Sequence, residues 1–303
     1  MHTLYNILLV PVRWLASLAS LRFRRDRDRW SEWQERRARK LPDLRSHGLW
    51  ILGASVGEAK IVSILAGELR RQSPDLPLAA STYTRTGREA LPGPPRLDAE
   101  FFMPLDLPGY PTRVLEAIRP AGLLLVETEL WPNLIREAQA LRIPVVLVNG
   151  RLSPKRMNRY RRLSSLYRPP LRSLAAIGVQ SEDDGARFAE LGVDRDRIVV
   201  TGNIKYDLPR PDVTAGALAD RFGLSPGRPV LVAGSTGPGE ETKVLEAFRI
   251  IREIKQDTFL VLAPRHPERS AGVQREAAGS GFRLHALSSG NDPAAGTADG
   301  LLV

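Results

Sequence analysis

From residue 49 onward, apolar residues follow two alternating rhythms. Short unbroken runs are bounded by glycine, proline and small polar residues, and longer stretches repeat an apolar position every three or four residues. The first kind reads as buried strands and the second as helices packed on them. The pattern predicts strands at 49–52, 76–82, 101–105, 122–127, 145–149, 175–180 and 198–201. Helices are predicted at 59–72, 112–118, 134–141, 163–174 (broken at Pro169-Pro170) and 182–191. A break over 202–211 precedes a second series, with strands at 228–233, 258–263 and 282–285 and helices at 240–255 and 271–279. The small, polar stretch 288–300 reads as a loop, and 301–303 as the start of a strand. Such alternation means an α/β protein built of parallel βαβ units, with ligand sites at the carboxyl ends of the strands. Three divisions follow: 1–40, a first domain over 41–205, and a second, partial domain over 206–303.

The stretch 4–21 is apolar, but Asn6, Arg13, Ser17 and Ser20 fall on one helical stripe. With an arginine and a proline inside, it makes a poor spanning helix, and no small-residue cleavage site follows. Followed by Arg22, Arg24 and Arg25, it suits a helix lying on an anionic membrane surface, with the domain on the cytoplasmic side. The alternative is a helix packed on the protein's own core.

Charge sharpens this picture through its distribution. The net charge is +10, yet segments 22–40 and 151–172 together carry thirteen net positive charges, so the remainder is slightly acidic. The basic surfaces suit anionic partners or solvated helix faces. They lack the aromatic stacking motifs and reading helix of a nucleic-acid binder, so no nucleic-acid partner is expected. There is no cysteine, and His2, His47, His266 and His285 show no metal-ligand spacing, so no metal site is expected.

The candidate chemistry lies at predicted strand ends. Glu58 follows the small residues Gly53-Ala54-Ser55-Val56-Gly57 at the mouth of a helix, where the macrodipole favours an ionised carboxylate. It reads either as a helix-start charge or as a base for a substrate hydroxyl. Glu127 and Glu129 end another strand, and Asn149 and Arg151 a third. The stretch 234–239 is a candidate phosphate cradle. Arg265 suits either a phosphate or an ion pair with Glu268.

Eight stretches occur together in order: Ser55-Val56-Gly57-Glu58, Thr84-Arg85-Thr86-Gly87, 127–133, Asn149-Gly150-Arg151-Leu152-Ser153, Gln180-Ser181-Glu182-Asp183, 201–207, Gly234-Ser235-Thr236 and 264–269. In this set the chain resembles the 3-deoxy-D-manno-octulosonic acid (Kdo) transferases of lipopolysaccharide synthesis. The resemblance implies a GT-B glycosyltransferase with two Rossmann-like domains facing a cleft, the second incomplete. It implies CMP-Kdo as donor, a lipid A precursor (lipid IVA) as acceptor, and a place at the cytoplasmic face of the inner membrane. It further implies inverting transfer without a bound metal or cofactor. Carried over, Glu58 is the general base, and Glu127 and Lys205 stabilise the transition state. Pro264, Arg265, Ser235 and Thr236 bind the CMP moiety, while Ser55, Thr86, Glu129 and Arg151 lie on the acceptor side. Two departures stand out. Gly53-Ala54 replaces a histidine-containing pair. The chain also stops before two further CMP-binding stretches of the family, so a truncated enzyme, or a remnant that keeps only lipid and membrane binding, is expected.

Overall fold

The structure is a computed structural model that describes residues 2–41, 47–207, 216–217, 227–286 and 299–302. The chain divides into two units, Met1–Pro209 and Arg210–Val303. Most of the expected 288–300 loop, and the end of the expected 202–211 break, lie outside the described residues.

The first unit opens with helices α1 (His2–Leu21) and α2 (Arg27–Arg36). It continues β1 (Leu49–Leu52), α3 (Val56–Gln72), β2 (Leu78–Thr82), α4 (Arg85–Glu89), β3 (Ala99–Phe102), α5 (Tyr110–Ile118), β4 (Gly122–Val126) and α6 (Pro132–Ala140). β5 (Val145–Gly150), α7 (Pro154–Arg162), α8 (Ser164–Arg172), β6 (Ala176–Val179), α9 (Glu182–Glu190) and β7 (Ile198–Val200) complete it. The strands form one parallel sheet in the order β3-β2-β1-β4-β5-β6-β7. Both faces are covered, which is why the strands are nearly all apolar. Alternate side chains serve opposite layers: Trp50 and Leu52 join the core beneath α5 and α6, while Ile51 packs with Ile61, Val62 and Ala66 of α3.

Four helices differ from the sequence pattern, the short α4 being one that no expected helix covers. α2 was legible only as charge, yet Arg36 and Arg37 are 7% exposed, so the 22–40 segment is not wholly surface. Arg36 lies over the rings of Tyr83 and Phe102 and pairs with Glu32 at 2.9 Å. α7 buries one apolar side chain, Met157, too few to give a period. α8 runs through Pro169-Pro170, where a break was expected. Leu166, Pro170 and Leu171 are buried, and this packing sustains the helix, while the carbonyl freed by Pro169 belongs to the exposed Ser165.

α1 is continuous through Pro11 and docks by its polar side. His2 bonds Asn133 at 2.8 Å, the Tyr5 hydroxyl donates to Asp106 at 3.3 Å, and Ser20 is fully buried. Asp106 in turn accepts the Asn133 and Leu134 N–H groups at the start of α6, and burial pushes its carboxyl up to about 6. Leu8, Trp14, Leu15 and Leu18 face outward, 63–69% exposed. Among the described residues no helix is long and apolar enough to cross a membrane.

The second unit contains β8 (Val230–Thr236), α10 (Glu240–Ile254), β9 (Phe259–Pro264), α11 (Ser270–Gly279), β10 (Leu284–Ala286) and β11 (Gly300–Leu302). Its sheet is parallel, in the order β10-β11-β9-β8, with β8 at an edge. Leu245 and Phe248 of α10 and Val273 and Ala277 of α11 pack on Leu260, Leu262, Leu284 and Leu302. β8 runs on through Gly234, Ser235 and Thr236, three residues beyond the expected strand end and into the candidate phosphate cradle.

Candidate active site

In the first unit the strand order reverses between β1 and β4. Neighbouring connections diverge at such a point and leave a crevice at the strands' carboxyl ends. Glu58 and the pair Glu127 and Glu129 lie after these two strands.

Ser55 is the residue before α3, and its hydroxyl donates to Glu58 Oε1 at 3.1 Å instead of capping the helix. The Ala54 N–H donates to the other oxygen. The helix start was expected to favour the ionised form, but the Glu58 carboxyl is pushed above its ordinary value. Burial is the main cause and the negative Glu127 adds to it, together outweighing the Ala54 and Ser55 hydrogen bonds and Lys205. The space is close-fitted: a Cβ on Gly53 would lie 3.0 Å from Val62 and 3.1 Å from Glu58.

Glu127 is the first residue beyond β4 and adopts φ +57°, a conformation costly for a residue with a Cβ. Its Oε1 accepts from Lys205 Nζ at 2.7 Å. Lys205 comes from the turn Ile204–Asp207, and buried Asn149 helps hold that turn by accepting from the Ile204 N–H at 3.0 Å. A Cβ on Gly57 would sit 3.7 Å from Lys205 Nζ, which places the ammonium beside the Ser55–Gly57 turn. Glu129 accepts from Trp131 Nε1 at 2.7 Å. Burial, with the Glu58 charge adding, pushes its carboxyl up to about 7.

Beside these carboxylates is a cavity of about 260 Å³ lined by Glu127, Thr128, Arg151, Ser153 and Arg156. Arg156 Nη1 donates to Thr128 Oγ1 at 2.6 Å, so α7 contributes a cation to the site. Ser55, Glu58, Glu127, Glu129, Arg151 and Lys205 therefore gather at one end of the sheet. Thr86 is exposed on α4, and its neighbour Thr84 makes the contact with the β1–α3 turn, donating to the Ala54 carbonyl at 3.2 Å. A Cβ on Gly87 would fall 2.8 Å from Thr84 Oγ1, which explains the glycine there.

Arg156 and Trp131 were not singled out from the sequence. Arg156 was one of eight cations in a basic segment. Trp131, stacked on Tyr83 with ring centroids 5.7 Å apart, stood within the 127–133 stretch without a role.

In the second unit Arg265 Nε lies 3.3 Å from Ser235 Oγ, and the Arg265 N–H donates to the Thr236 carbonyl. Glu268 is met by His266 Nδ1 at 3.5 Å rather than by Arg265. Ser235 has φ +60°. Two groups of the expected cradle are already engaged. The Gly237 N–H donates to Glu240 Oε2 at 2.7 Å, and the buried Thr236 hydroxyl donates to Glu241. Glu241 is fully buried and held by both Arg269 nitrogens, at 2.8 and 3.1 Å. Ser235 at the end of β8 and Arg265 just beyond β9 remain the groups presented, while Pro264 closes β9. Among the described residues no three acidic or histidine side chains are arranged to hold a metal ion.

Residues 31–208 match the family model described as 3-Deoxy-D-manno-octulosonic-acid transferase (kdotransferase). The chain is 34% identical over 230 residues to the 3-deoxy-D-manno-octulosonic acid transferase of Haemophilus influenzae, covering 73% of this chain and 52% of the relative. The enzyme of the same name from Bordetella pertussis is 30% identical over 254 residues, covering 80% and 58%. The chain thus spans about half the length of the curated relatives it matches. Among solved structures, UDP-GlcNAc 2-epimerase from Neisseria meningitidis aligns with a TM-score of 0.56 at 13% identity, covering 84% of this chain and 71% of that one. The epimerase from Methanocaldococcus jannaschii gives 0.51 at 16%, covering 75% and 67%. These likenesses concern fold alone, the α/β GT-B type with Rossmann-like units.

Proposed function

The chain belongs to the Kdo transferase family, and from that premise we propose that it moves Kdo from CMP-Kdo to a lipid A precursor. The observation that carries the reading is the set of groups at the β1–β4 crevice: a half-buried Glu58 beside the Glu127–Lys205 ion pair. Glu58 takes the proton of the acceptor hydroxyl, whose oxygen attacks the anomeric carbon of Kdo as the bond to the CMP phosphate breaks on the opposite face. The anomeric centre is inverted in that single displacement. A base with a raised proton affinity is better matched to a hydroxyl proton than an ordinary carboxylate, provided it is ionised at working pH. Lys205 stabilises the developing negative charge, and Glu127 holds the ammonium in place and faces the cationic character of the sugar. Glu129, Ser55, Thr86 and Arg151 serve the acceptor side, while Pro264, Arg265 and Ser235 serve the CMP moiety. Thr236 positions Glu241 and offers the donor its backbone only.

The outward apolar face of α1, followed by Arg22, Arg24 and Arg25, supports a place on the cytoplasmic face of the inner membrane. The test is transfer of Kdo from CMP-Kdo to lipid IVA by this polypeptide. Glu58→Gln is expected to lower kcat by at least about 100-fold with lipid binding retained, the order lost with a general base. The wild-type rate should rise with pH until Glu58 is ionised. Lipid binding without transfer by the wild-type chain would instead assign it a binding role only.

A further inference from the structure

Where α1, the end of α2 and α5 meet, a second cavity of about 520 Å³ lies apart from the residues assigned to catalysis. Arg13, Arg37, Arg39 and Arg113 line it, together with Val10 and Trp14, and no acidic residue does. Each guanidinium has a reason to be there. Arg13 belongs to the polar stripe by which α1 docks, and it lies over the Tyr110 ring at 5.3 Å. Arg37 caps α2 and is 7% exposed, with Nη1 donating to Ser20 Oγ at 3.1 Å while Nε has no hydrogen-bond partner. Arg113 stands one turn beyond Tyr110 on α5. Among the described residues none of the four forms an ion pair with a carboxylate.

Four cations around one hollow repel each other with no carboxylate to offset them. A tetrahedral oxyanion answers this, because guanidinium forks match phosphate oxygens in pairs. The wall also contains the exposed Val10 and Trp14, which continue into the outward apolar face of α1. We propose that this cavity binds the phosphate of a membrane lipid headgroup, with the lipid's hydrocarbon lying along α1. The lipid source rests on the reading of α1 as membrane-facing; the phosphate chemistry rests on the cavity alone.

The test uses the full chain and vesicles of the phosphate-free lipid digalactosyldiacylglycerol doped either with phosphatidic acid or, at matched surface charge, with oleate. The double variant Arg39→Gln/Arg113→Gln leaves buried Arg37 and helix α1 untouched. It is expected to lose about tenfold more affinity on the phosphatidic acid vesicles than on the oleate vesicles. The equal-charge variant Arg24→Gln/Arg25→Gln, away from the cavity, should lose the same factor on both. Equal losses for the cavity variant would overturn the proposal and leave only diffuse charge attraction. A parallel arm measures inorganic phosphate by calorimetry. If phosphate binds the wild type and not the cavity variant while phosphatidic acid vesicles do not bind, the lipid assignment falls and a soluble phosphate ligand replaces it. No arm needs CMP-Kdo or turnover, so failure of the transferase reading leaves these outcomes intact.

Discussion

Replacing Glu129 by glutamine isolates the electrostatic cost of the carboxylate cluster. In the folded protein the Glu129 carboxyl is pushed from 4.5 to about 7, first by burial and then by the Glu58 charge. A tenfold change in proton affinity corresponds to about 1.4 kcal/mol, so ionising Glu129 in place costs about 3 kcal/mol relative to the unfolded chain. Because the folded value is the higher one, the folded state binds more protons between pH 4.5 and 7. The protonated form's stabilisation is complete below pH 4.5 and is lost as pH rises through 7. Glutamine keeps an oxygen for the Trp131 Nε1 donor and has no charge to lose. Glu129→Gln should therefore equal wild type near pH 4 and exceed it by about 2–3 kcal/mol at pH 8. All five tryptophans lie in the first unit, so urea unfolding followed by tryptophan fluorescence reports this unit alone. Parallel stability curves for the two proteins between pH 4.5 and 7, or a less stable variant at pH 8, would refute the reasoning.

Other substitutions test the frame around the site. Gly87→Ala places a Cβ 2.8 Å from Thr84 Oγ1 and 3.2 Å from the Ala54 carbonyl, and should cost about 1–3 kcal/mol in the same assay. Asp106→Ala removes the acceptor of two backbone N–H groups at the start of α6 and of the Tyr5 hydroxyl. About 2–4 kcal/mol of stability should go with it, as measured by urea unfolding. Arg269→Ala leaves the fully buried Glu241 without its cation. A loss of stability is expected, read from amide hydrogen exchange in β8 and β9 of the second unit, with Arg269→Ala/Glu241→Gln recovering part of it.

The strand–turn–helix at 49–72 could be read from the chain because its apolar periods change where its small residues stand. The same holds for the parallel alternation as a whole, since strands buried on both faces leave unbroken apolar runs. α2 and α7 were not legible because they dock largely through charged and polar side chains, which leave no apolar stripe: α2 through Arg36 and the ion pairs Glu32–Arg85 and Glu35–Arg88, and α7 with Met157 as its one buried apolar side chain. α8 contradicted a local rule, its prolines being tolerated where packing outweighs two lost hydrogen bonds. For the candidate site, sequence order supplied Glu58, Glu127 and Lys205, but their proximity came from the sheet. The Glu127–Lys205 pair joins residues 78 positions apart. The raised carboxyl of Glu58 was missed because a helix start predicts the opposite sign, and only the depth of burial reverses it.

The inverted docking of α1 has a consequence for handling the protein. Its hydrogen-bonding residues and Leu9 attach it to the domain, whereas Leu8, Trp14, Leu15 and Leu18 contribute nothing to the interior. Stickiness and structural integrity thus belong to opposite sides of a single helix. The outer side can be rewritten with polar residues as a solubilising module while the inner side goes on closing the fold.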